Sequence, residues 1–150
     1  MKRYLILVFS LLVLAAVGCS NRAGGSASGS SPDAKNPGVP TVEIAFLNHP
    51  PVLWALTDAD KLLASYGDRI KVIRYDFDTS EGAAFAKKMK LTGHVPLAIF
   101  VNGAMEVSLG GRKVKFYSFP SGSGQFMVPG GTWTVEDLRQ AIEAALSKAQ

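Results

Sequence analysis

Gly93-His94-Val95-Pro96-Leu97-Ala98-Ile99-Phe100-Val101-Asn102-Gly103 sets a proline, a five-residue apolar run and a two-residue turn signal in direct succession. Leu97–Val101 is wholly apolar and closed by Asn102-Gly103, so it reads as a buried strand entering a tight hairpin. Downstream, Val107 and Val114–Phe116 flank Gly110-Gly111, which predicts a second hairpin. Thr134 then caps a final helix whose apolar face is Val135, Leu138, Ile142, Ala145 and Leu146. Glu136 and Asp137 fall in its first turn, where negative charge complements the helix dipole.

Upstream, Val42–Leu47 is a mostly apolar run bounded by Pro40 and Asn48, and reads as a strand. His49-Pro50-Pro51 breaks it. Pro51 suits a first helical turn, since its missing N–H is not needed there. Leu53, Leu56, Leu63 and Tyr66 recur at helical spacing, with Leu62 beside them, and Gly67 ends the helix. Thr57-x-x-Asp60 offers a later start. Ile70–Phe77 alternates as a second strand. Thr79 or Ser80 caps a helix running to about Lys90 and burying Phe85 and Met89.

This order predicts an α/β domain with a central mixed sheet and helices on both faces. The βαβ half implies parallel neighbours, and the hairpin half implies antiparallel ones. The 110 residues of 41–150 suffice for one domain and are too few for two.

Element order and three local pieces resemble the thioredoxin fold. Phe46-Leu47-Asn48-His49-Pro50-Pro51-Val52 occupies the strand-to-helix turn where thioredoxins carry Cys-Gly-Pro-Cys. His49 stands at the first cysteine, Pro50 at the glycine, Pro51 at the proline and Val52 at the second cysteine. Gly93–Phe100 is similar to the segment that leads through the family's cis-proline into a strand, and Asn102-Gly103 matches the hairpin that follows. The capped C-terminal helix is the third piece. A stretch near 110–131 is longer than a minimal thioredoxin needs, so an extra hairpin and a long loop are expected before the last helix.

The resemblance implies a cis Val95-Pro96 bond and a backbone edge that pairs with an extended client. The peptide-binding candidates are therefore His49, Pro50, Pro51, Val52, Val95 and Pro96. Phe126 joins them from the loop at 118–131, where Phe119, Phe126 and Met127 sit amid glycine and proline. That loop either exposes its aromatics to a partner or folds them over the core. Trp54, one step past the turn, either widens an apolar rim of the site or packs in the core, and the core is the expectation because tryptophan is highly buried on average.

Thiol–disulfide exchange needs an attacking thiolate and a resolving thiol. Positions 49 and 52 supply neither, so the domain is expected to be redox-inactive and not an enzyme, with no cofactor. Peroxidase chemistry fails on the same count. His49 and His94, the only histidines, lie on the two loops that meet in this fold. They suit copper or zinc, but zinc sites normally take three or four protein ligands. Copper or zinc handling through His49 and His94 is thus the lesser alternative. Asp76 and Asp78 end a strand and are expected to make turn bonds.

The chain of 150 residues holds one cysteine, Cys19, which excludes an intramolecular disulfide and any multi-cysteine metal site. Lys2 and Arg3 precede Tyr4–Val17, a 14-residue apolar run too short to span a bilayer comfortably. That layout matches a signal peptide, residues 1–18. Ala16-Val17-Gly18-Cys19 resembles the lipobox of bacterial lipoproteins, which implies cleavage before Cys19 and acylation of it. In residues 20–40, 12 of 21 are Gly, Ser or Pro, so residues 19–40 read as a lipidated cysteine and a flexible tether reaching about 25 Å. The net charge of +4 comes from 16 basic and 12 acidic residues. Removing Lys2 and Arg3 leaves 14 against 12, so nucleic acid is not an expected partner. The expected protein is a membrane-anchored extracytoplasmic module, at the periplasmic face or cell surface, holding an envelope protein or peptide.

Overall fold

A computed structural model describes residues 38–122 and 130–149, all within the compact unit Lys35–Gln150. The leader, Cys19, most of the tether, Phe126 and Met127 lie outside the described residues.

β1 (Thr41–Phe46) and β2 (Lys71–Asp76) pair in parallel, while β3 (Leu97–Val101) pairs antiparallel with the other edge of β1. The sheet order is therefore β2-β1-β3, mixed in direction. Alternation along the central strands sorts two cores. Val42, Ile44, Phe46, Leu97, Ile99 and Val101 point to one face. Ala45, Ala98 and Phe100 point to the other. Helices α1 (Pro50–Ala64) and α3 (Val135–Ala149) cover the first face. Helix α2 (Ser80–Lys88) covers the second, where the Phe85 ring stacks on Tyr75 at 3.8 Å and meets Phe100 edge-on at 5.5 Å.

The Asn102-Gly103 hairpin forms as expected. Both residues take positive φ (51° and 78°), and Val101 and Ala104 exchange backbone hydrogen bonds across the turn. The second hairpin joins β4 (Glu106–Leu109) to β5 (Arg112–Lys115), and the chain after it runs back along β3 through Phe116–Ser118. Thr79 caps α2 by accepting from the Gly82 amide at 3.0 Å. Gly82 is pressed against the end of β2: a Cβ there would lie 1.8 Å from the Asp76 carbonyl oxygen. Among the described residues no helix is long and apolar enough to cross a membrane.

The α1 register differs from the sequence expectation. Its buried stripe is Val52, Ala55, Leu56, Ala59, Leu62 and Leu63, and Leu53 is 42% exposed. The buried face of the helix runs through Ala55 and Ala59, which leaves the bulkier Leu53 and Trp54 on its outward side. Trp54 is thus 67% exposed rather than core. The other tryptophan fills the core instead. Trp133 is fully buried, packs edge-on against Phe116 at 5.6 Å, and donates from Nε1 to the Ser118 carbonyl at 3.1 Å. It precedes the Thr134 cap and shares the core with Leu138, forming a hydrophobic staple at the start of α3.

Thr134 and Asp137 cap α3 reciprocally. The Asp137 amide donates to the Thr134 hydroxyl at 3.1 Å, and the Thr134 amide donates to an Asp137 carboxylate oxygen at 2.8 Å. Arg112, at the start of β5, binds the other oxygen at 2.5 Å and ties that strand to the helix start. Burial alone would raise the Asp137 pKa, but the Thr134 and Arg112 bonds outweigh it and hold the carboxyl below its ordinary value.

Candidate functional site

Two loops leave the carboxyl ends of β1 and β2, and a third enters β3 beside them. The Leu47 amide donates to the Pro96 carbonyl at 3.0 Å, joining the strand-to-helix turn to the proline segment. Asn48 Nδ2 donates to an Asp76 carboxylate oxygen at 2.8 Å, joining the same turn to the end of β2. The second Asp76 oxygen accepts from the Asp78 amide at 2.9 Å, so Asp76 makes turn bonds as expected. Because α1 and α2 depart toward opposite faces, their loops diverge and open a crevice. Ligand sites of open α/β sheets form at such a place.

The crevice is a cleft of about 660 Å³ between the end of α2 and the segment leading to β3. Leu47, Phe77, Leu91 and Val95 give it apolar walls, and Lys87, Lys90 and His94 line it as well. Among the described residues, the peptide groups of Thr92, Gly93, His94 and Val95 form no hydrogen bond. A backbone donor or acceptor without an internal partner must bond water or a ligand, so four consecutive residues present open main chain beside the cleft.

The expected peptide-binding residues divide. His49, Pro50 and Pro51 are exposed at the start of α1, and His49 occupies the cap position without a side-chain cap bond. Val52 is fully buried in the core, so it is not a surface contact: it starts the apolar stripe of α1. Val95 and Pro96 are buried too, Val95 within the α2-side core while also lining the cleft. Phe126 lies outside the described residues. Phe119 at the base of the long loop is buried, and the base is closed by Gly131 donating to Phe119 and Ser121 donating to Trp133.

His94 lines the cleft, whereas His49 does not. Among the described residues there is no group of three His, Cys, Asp or Glu side chains placed to hold a metal ion.

Sequence reading missed the cleft's cationic side. Its signal was Lys87-Lys88-Met89-Lys90, a helix end with lysine where glycine usually stops the helix. Comparison with known proteins gives no match to a family model, a curated protein or a solved structure.

Proposed function

We propose that this chain is a lipid-anchored, redox-inactive thioredoxin-like module that docks an extended peptide segment of an envelope protein. The observation that carries the reading is the open main chain of Thr92–Val95 beside an apolar-walled cleft. An extended peptide laid there gains main-chain hydrogen bonds for affinity and a pocket for one side chain. The strand order β2-β1-β3, helices on both faces and the Leu47–Pro96 bond support the thioredoxin-like assignment. With no cysteine in 41–150, the docked segment is held without thiol exchange.

In this reading the signal peptide is cleaved before Cys19, whose sulfur carries a diacylglyceryl group, and the tether lets the domain search near the membrane. Several acyl chains make such anchoring stable where one is marginal. Intact mass of membrane-extracted protein tests it: acylated Cys19 at the N-terminus is expected, and a mature chain with an unmodified Cys19 contradicts it.

Fluorescence anisotropy of short labelled peptide pools, titrated with the full chain in neutral detergent micelles, tests docking. Saturable binding without reduction of insulin disulfides is expected. Failure of every pool to bind contradicts the reading.

A further inference from the structure

We propose that the cleft selects acidic extended peptides, with Lys87 and Lys90 as the selecting cations; this rests on the peptide-docking reading above. Among the described residues no carboxylate lines the cleft, while two lysines do. Neither ammonium group has an ion pair or hydrogen bond among the described residues. Lys61, Arg69, Arg74, Arg112, Lys113 and Arg139 each have a carboxylate partner, while Lys71, Lys115 and Lys148 share with the cleft lysines the lack of one among the described residues, so what sets Lys87 and Lys90 apart is their place on the cleft. Asp76, close by at the end of β2, has both oxygens engaged by Asn48 and the Asp78 amide.

Helix chemistry explains only half of this pair. A lysine in the last turn of α2 complements the helix dipole, which accounts for Lys87. Lys90 lies beyond the helix, in the left-handed region at φ 53°. The Leu91 amide donates to the Ala86 carbonyl and the Lys90 amide to that of Lys87, a Schellman ending in which glycine is the usual residue at position 90. The backbone at position 90 therefore favours glycine, and helix geometry gives no reason for a lysine there. The outcome is two cations beside apolar walls, with the open peptide groups of Thr92–Val95 on the same cleft. A negatively charged, extended peptide satisfies all three features. An anionic lipid surface satisfies only the charge.

The test uses three labelled peptide pools, each with a fixed central leucine and flanks drawn from aspartate, serine or lysine mixtures. They are titrated against the full chain in neutral detergent micelles. At low ionic strength the aspartate pool should bind at least about tenfold tighter than the lysine pool, and added salt should narrow the gap. Lys87→Glu combined with Lys90→Glu should reverse the order. Lys90→Gly removes one charge while relieving the left-handed backbone, so its narrowed preference does not reflect misfolding. Equal binding of aspartate and lysine pools overturns the acidic selection and leaves docking standing. If no pool binds, docking itself fails. Binding to phosphatidylglycerol vesicles that the double reversal abolishes, with no pool bound, assigns the lysines to a membrane surface and overturns the proposal.

Discussion

The Lys90 amide donates to the Lys87 carbonyl at 3.2 Å, and this bond holds Lys90 in the left-handed turn that ends α2. A side chain in that conformation costs about 1–2 kcal/mol relative to glycine. The larger unfolded-state freedom of glycine offsets part of that. Lys90→Gly is therefore expected to leave stability unchanged or raise it by up to about 1 kcal/mol. Urea unfolding measures this. A loss of more than about 1 kcal/mol would show that Lys90 is kept for stability.

Asp137 makes the fold acid-sensitive. Its folded pKa lies below the ordinary 3.8, because its bonds to Thr134 and Arg112 outweigh the effect of burial. A depressed carboxyl pKa contributes stability above the unfolded value and loses it as pH falls through the folded value. Native protein should therefore lose stability relative to Asp137→Asn as pH falls through the ordinary carboxylate value of 3.8 and on below it. At neutral pH Asp137→Ala should cost about 2 kcal/mol, and Arg112→Ala less than about 1, since Arg112 is half exposed. A pH-independent difference between native protein and Asp137→Asn would contradict this.

The two tryptophans should separate cleanly in quenching. Trp54 at 67% exposure is open to acrylamide, whereas fully buried Trp133 is shielded. Trp54→Phe should leave only blue-shifted, quench-resistant emission. Trp133→Ala should cost about 3–5 kcal/mol through the cavity left beside Phe116, and Trp133→Phe about 1–2 through the lost bond to the Ser118 carbonyl. Quenchable emission from Trp54→Phe protein would contradict the assignment.

Titration with zinc or copper(II) followed by calorimetry is expected to give no saturable heat at micromolar protein, because two histidines fall short of the usual ligand count. A saturable heat lost in His49→Ala or His94→Ala would restore the metal reading.

Most of the fold was legible because its signals are local. Leu97–Val101 is apolar throughout and becomes the strand on the antiparallel side of β1. Asn102-Gly103 tolerates the positive φ of its turn, and Thr79 and Thr134 cap the helices that follow them. The register of α1 was less legible, since Leu53 and Leu56 look equivalent until Ala55 and Ala59 set the contact face. Trp133 escaped notice because a single residue before a helix cap has no periodicity to read.

At the site, the meeting of the two loops followed from the resemblance, and the Leu47–Pro96 bond joins them. A loop position says little about where a side chain points: Val52 is core, and Val95 is buried yet lines the cleft. The lysine side of the cleft was illegible because Lys90 takes its place through an unusual backbone angle, a property of three-dimensional context and not of residue type.

Hydrogen–deuterium exchange of the full chain, with and without saturating aspartate-flanked peptide, tests docking at the cleft most directly. The amides of Thr92–Val95 have no internal acceptor, so they should exchange fast in free protein and slow markedly in the complex. Protection confined to the surface around Trp54, or none at all with peptide bound, would contradict it.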